Sequence, residues 1–276
     1  MGDPVCLHVP RLSRLEATRS CSVNVFALDF PPVSHLFVWP DFLFTDTPVA
    51  LNKTGLIYIA ALLLTAGLFW AAGRRRALVP TGTQTVAEVG IEFVENSIIM
   101  QTIGPDGRKY LPFLTTLFFF VFFSNIFEVV PFIQFPANSR MAIPLALALV
   151  VWAIYHVVGI RAQGFYHYFK GALFPPGVPK ALYILVAPIE LLQILLIRPL
   201  SLAIRLWANM VAGHLLLVTF AVLSAALWGT LYVPAVLPFA ALILLTAFEI
   251  FVSALQAFIF TILTAVYIGG SLHPEH

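Results

Sequence analysis

Charged residues punctuate a series of long apolar runs along this chain. The first run, 55–73, lies between Lys53 and the triplet Arg74, Arg75 and Arg76. The second, 111–130, follows Arg108 and Lys109 and passes through a Phe-rich stretch to Glu128 and Pro131. A third, 141–160, is set between Arg140 and Arg161. Each has about the 17–25 residues with which an α-helix crosses a bilayer. Short basic clusters collect on the cytoplasmic side, so Arg74, Arg75, Arg76, Arg108, Lys109, Arg161, Lys170 and Lys180 are expected inside. Five crossings then put the N-terminus outside and the C-terminus in the cytoplasm.

Between the first two runs, 83–103 is too polar to cross. Glu88, Glu92 and Glu95 recur at i, i+4 and i+7, opposite Val89, Ile91, Phe93 and Ile98. This pattern predicts an amphipathic helix on the inner membrane surface. Its acidic face reads as solvated, with contact to a partner subunit as the alternative. The last hundred residues differ in kind, staying apolar over 180–226 and again over 234–272, with Trp228, Gly229, Pro234 and Pro238 between or near the two. Two helices of about 38–46 residues would be about 57–69 Å long, against a hydrocarbon core of about 30 Å. Either they break, at Pro188 and Pro199, or they tilt steeply as a hairpin. The charges inside them favour the tilted hairpin, which could wrap the flank of another membrane object.

Composition agrees with the pattern. Of 276 residues, 60% are hydrophobic and 10% charged, with mean hydropathy +0.94. Soluble domains carry about a quarter charged residues, so the expected fold class is an all-α integral membrane protein: five crossing helices and one amphipathic surface helix. A net charge of +2 gives no footprint for nucleic acid. No CxxC, HExxH or GxxxxGK[ST] pattern occurs, so no metal or cofactor is expected. Cys6 and Cys21 read as lone thiols, with a disulfide as the alternative. Residues 1–50 lack an apolar signal-type segment and are expected to form an uncleaved, mostly irregular extracytoplasmic tail, ahead of one membrane domain over 51–276.

Arg205 is the most informative side chain. A guanidinium keeps its proton, so placing it in an apolar helix costs about 2.5–3.5 kcal/mol and implies a function and a partner. At 100° per residue, Arg198, Ser201, Asn209 and Ala212 fall within about 40° of Arg205, with Ala208 and Glu190 near 60°. Small side chains there would let a neighbouring helix approach closely. His214 lies about 180° away. On the last helix Ser253 and Gln256 fall within about 40° of Glu249 and form one stripe with it. In an antiparallel hairpin His214 and Glu249 can meet behind the Arg205 face, and an imidazole beside a carboxyl can pass protons. Arg205 would favour the ionised form of an approaching partner carboxylate and block a direct leak. Duller roles remain open for some: Gln256 and Asn209 as interhelical glue, Glu190 as a solvated rim residue, Arg198 as a side chain reaching the inner interface. Glu128 reads as ending its helix at the outer interface. His156 and His167 read as interfacial or solvated, and Phe118, Phe119, Phe120, Phe122 and Phe123 as lipid-facing.

Two blocks carry a resemblance. They are Arg198-Pro-Leu-Ser-Leu-Ala-Ile-Arg205-Leu-Trp-Ala-Asn209-Met-Val-Ala-Gly-His214 and the stretch from Thr246-Ala-Phe-Glu249 through Ser253 and Gln256-Ala-Phe to Tyr267. Asn125-Ile-Phe-Glu128-Val-Val-Pro131 adds a weaker one. Over about 35–276 the chain resembles the subunit a family of the bacterial F-type ATP synthase. The resemblance implies a non-catalytic, proton-conducting stator in the Fo sector of a bacterial plasma membrane. Its partners would be a ring of c subunits against the Arg205 face, the peripheral-stalk subunit b and the lipid bilayer. It implies that Arg205 separates two aqueous half-channels. Asn209, His214, Glu249, Ser253 and Gln256 would then line the proton path, with Glu190 toward the inner half-channel. Two departures stand out: some family members exchange the acid and imidazole found here at His214 and Glu249, and Glu190 is offset by about one residue. A proton-coupled secondary transporter using Arg205 is the competing reading, and a membrane scaffold a third. No similarity between halves supports the transporter, and a scaffold leaves the buried charges unexplained.

Overall fold

A computed structural model describes residues 53–74, 80–130, 133, 137–174, 179, 182–228 and 232–272. The chain divides into two units, Met1–Phe30 and Pro31–His276, and every described residue belongs to the second. The expected tail, Cys6, Cys21, Arg75, Arg76 and Lys180 lie outside the described residues. Every regular element among those described is helical: α1 Lys53–Arg74, α2 Thr83–Val94, α3 Leu111–Ile126, α4 Ala142–Gln163, α5 Phe165–Leu173, α6 Tyr183–Leu192, α7 Arg198–Trp228 and α8 Tyr232–Leu272. A π turn, Glu95–Ile99, continues α2, and a second, Gln193–Ile197, joins α6 to α7 without a break.

Among the described residues five helices are long and apolar enough to cross a membrane: Thr54–Arg74, Pro105–Ile126, Ala142–Gln163, Tyr183–Trp228 and Ala235–Leu272. The fourth is a single run of 46 residues, so Pro188 and Pro199 do not break it. Pro188 is carried inside α6, and Pro199 follows the π turn. At about 1.5 Å per residue this rod is about 69 Å long, over twice the hydrocarbon thickness, and would lie wholly within the hydrocarbon only at a steep tilt. α7 and α8 run antiparallel along their length. Trp228 meets Phe239 with ring centroids 6.0 Å apart, Gly213 lies against Glu249, and the Arg198 guanidinium sits 5.3 Å over the Tyr267 ring.

Buried side chains from the π turn after α2, from α3, α4, α7 and α8 fill one core, among them Ile98, Leu114, Tyr155, Leu206, Phe260 and Ile268. α2 lies on α1 and α3 through a close approach: a Cβ on Gly90 would overlap the Phe119 ring. Val86, Val89 and Phe93 stay exposed while Ala87 and Val94 are buried, which suits a helix resting at a lipid surface. Two expectations are corrected here. Phe119 is buried, edge-on to Phe69 at 5.5 Å, so the Phe run is partly core. His156 is buried too, its Nδ1 at 2.9 Å from the Trp152 carbonyl, packed against Trp152, Tyr155 and Tyr168.

Candidate functional site

α7 carries two opposite faces. The buried one consists of Leu202, Leu206, Met210, Gly213 and His214, spaced at helical intervals against α8 and α4. The other exposes Ser201, Arg205 and Ala212, with Asn209 half-buried beside them. Ile197, Leu200, Ser201, Ile204 and Arg205 line a shallow surface hollow of about 430 Å³. Among the described residues Arg205 makes no hydrogen bond and no ion pair. A permanent cation therefore stands on an apolar outer surface, and its counter-charge must come from elsewhere.

Behind that face lies a buried polar cluster. Glu249, Ser253 and Gln256 lie on one stripe of α8, each no more than 5% exposed. The Glu249 carboxyl is seated on the backbone of Gly213, where a Cβ would fall 2.7 Å from its Cδ. Only glycine leaves room for that carboxyl next to His214. The His214 Nδ1 is 3.7 Å from Glu128 Oε1, so the imidazole links α7 to the segment that follows α3. Among the described residues neither carboxyl oxygen of Glu128 accepts a hydrogen bond, and the Gln256 amide nitrogen has no acceptor. Such groups are the sort that buried water satisfies.

Glu128 corrects the sequence reading. It does not end a helix at the outer interface but is 1% exposed. α3 stops at Ile126, and the turn that follows carries Glu128 inward. Helical periodicity gives no direction for a turn residue; the one available signal was its place in Asn125-Ile-Phe-Glu128-Val-Val-Pro131. A further polar chain adjoins it, which the sequence reading lacked. The Tyr58 hydroxyl donates to Asn138 Oδ1, and Asn138 Nδ2 donates to Asn125 Oδ1 at 2.6 Å. Trp207, from α7, donates to the Ser139 carbonyl at 2.7 Å. Thr54 Oγ1, Asn125 Nδ2 and Ser139 Oγ are buried without partners among the described residues.

Arg198 is half-buried over Tyr267, and among the described residues its Nε has no acceptor. Asn209 and Glu190 are each half-buried and make no hydrogen bond among the described residues. No three metal-ligating side chains come together there either.

Comparison with known proteins bears directly on this arrangement. The family model described as ATP synthase A chain matches residues 55–269. The chain belongs to the ATP synthase A chain family. ATP synthase subunit a of Frankia alni is 43% identical over 241 residues, which is 86% of this chain and 83% of that protein. Its counterpart in Rhodococcus erythropolis is 37% identical over 267 residues, 93% and 96% of the two chains. That of Rhodospirillum rubrum is 38% identical over 228 residues, 82% and 90% of the two. The stretch matched to the ATP synthase A chain family runs from before Tyr58 to beyond Tyr267. Both faces of α7 and the whole buried cluster therefore lie within it.

Proposed function

We propose that the chain is the proton-conducting stator of the ATP synthase membrane sector, in which Arg205 separates two half-channels. The observation that carries this reading is Arg205 itself: exposed, unpaired among the described residues and set in an apolar helix. The partner that best suits it is a carboxylate on a moving neighbour, a ring of small c subunits against α7. The buried cluster behind α7 supplies the route to that carboxylate. A proton from the outer side reaches Glu128, passes through His214 to Glu249, and continues past Ser253, Gln256 and Asn209 to the rotor. Each handover needs two groups that hold and release a proton near neutrality, or a water between them, and imidazole beside carboxyl provides this.

Arg205 then acts by charge alone. As a loaded carboxyl approaches, the guanidinium favours its ionised form and the proton leaves toward the inner side, with Glu190 and Ser201 along the way. A fixed cation also repels protons, so the two half-channels do not short-circuit. Rotation of the ring would couple this flow to ATP synthesis, with peripheral-stalk subunit b holding the stator still. The N-terminus faces out and the C-terminus the cytoplasm. Arg205→Ala in the assembled complex is expected to leave assembly intact and to reduce proton-driven ATP synthesis to background. Unchanged synthesis by that variant ends this reading.

A further inference from the structure

We infer that Trp152 and Tyr155 are positioning residues that clamp the π turn Gln193–Ile197 and so set the rotational phase between Glu190 and Arg205. The inference rests on the proposed function for the roles of those two residues, but the clamp itself rests on geometry. Pro199 has no N–H, and its ring would press on the carbonyl four residues earlier, that of Leu195. The chain responds by widening: the Arg198 N–H donates to the Gln193 carbonyl, five residues back. Ile194 thereby loses the donor that a regular helix would give it. The donor in the wider register would be residue 199, and proline has none.

The Ile194 carbonyl is taken up from another helix. Trp152 Nε1–H and the Tyr155 hydroxyl both donate to it at 3.1 Å, across about forty residues of sequence. The two aromatics are three residues apart on α4, and Tyr155 is 1% exposed. The next residue along, Arg198, is anchored over Tyr267, whose ring lies 5.7 Å from that of Tyr155. Both ends of the π turn are thus tied to one aromatic cluster. A single capping bond would satisfy a stray carbonyl. Two rigid donors converging from fixed directions also settle which way it points.

The consequence is angular. A π turn holds one extra residue, so everything before it is rotated by about 100° relative to an unbroken helix. Glu190 moves from about 60° on one side of Arg205 to about 40° on the other.

The test reads this rotation directly. In assembled complexes with Cys6 and Cys21 replaced by serine, single cysteines at positions 189–193 and at 201, 208 and 212 are scanned with a water-soluble maleimide and with silver ion. Trp152→Phe with Tyr155→Phe keeps both rings and removes both donors. The expected result is that the most reactive upstream position moves by one residue, the downstream positions keep their pattern, and most coupled ATP synthesis is lost. An unmoved upstream pattern overturns the clamp. Tyr155→Phe alone removes one oxygen and carries the same test if the double variant does not assemble. If Arg205→Ala leaves coupling normal while the labelling shift is seen, the proposed function falls and the clamp stands. If coupling is lost in Arg205→Ala and labelling does not shift, the reverse holds.

Discussion

Gly213 joins packing to the proposed proton route, because its missing side chain is the seat of the Glu249 carboxyl. A Cβ there meets only the end of a flexible side chain, so Gly213→Ala is expected to displace the carboxyl and leave the backbone alone. The gain in helix propensity from Gly to Ala, about 1 kcal/mol, works in the same direction. The variant should therefore assemble normally and pump protons more slowly; reduced assembly with normal pumping per complex would contradict this. Glu128→Gln is the companion experiment. From sequence alone Glu249→Gln should slow proton uptake more than Glu128→Gln does. With Glu128 buried against His214, the two substitutions are expected to slow flux in reconstituted vesicles to a similar degree. Full flux in Glu128→Gln would remove that residue from the route. At this scale the sequence was informative where a regular helix carries the residue. The position of His214 opposite Arg205 follows from 100° per residue, but Glu128 sits on a turn, where no period applies.

Elements meet at a few close approaches, and these are invisible to periodicity because they join residues far apart in sequence. α2 rests on α3 where Gly90 faces Phe119, and a Cβ at Gly90 would lie 2.6 Å from Phe119 Cε2. That ring is buried and held edge-on by Phe69, so it has little room to yield. Gly90→Val is expected to destabilise the surface helix by about 1–3 kcal/mol, the usual cost of overpacking, read as lower complex yield or a lower unfolding temperature in detergent. An unchanged transition would mean that α2 slides freely over α3. The chain of Tyr58, Asn138 and Asn125 is a second such junction, joining α1 to the turns around α3. The two π turns are a third case. One extra residue in a helix leaves the hydrophobic pattern almost intact, so the apolar runs reveal a helix over 180–226 but not its change of phase. Pro199 was the visible sign, and it can be read equally as a break; the donors on α4 decide for the bulge.

At the scale of the whole molecule the governing quantity is length. Charge-punctuated apolar runs are legible because each charge in hydrocarbon is costly, so the crossing segments declare themselves. How they stand in the bilayer follows only once Tyr183–Trp228 is known to be continuous over 46 residues. An upright helix would change depth by about 1.5 Å per residue. Fitting the same rod within about 30–45 Å of membrane reduces this to about 0.7–1.0 Å per residue. Spin labels placed at intervals from 184 to 226, in vesicles with depth-dependent quenchers, distinguish the two slopes. The shallow slope is expected. It also places Arg205, near the middle of the rod, close to the bilayer midplane, farthest from either aqueous phase. That depth is where a barrier between two half-channels must lie, since a cation near either surface would leave a continuous path on its other side. A steep slope, with the ends of the rod projecting into water, would move Arg205 out of that position and remove the reason for the hairpin to lean along a ring.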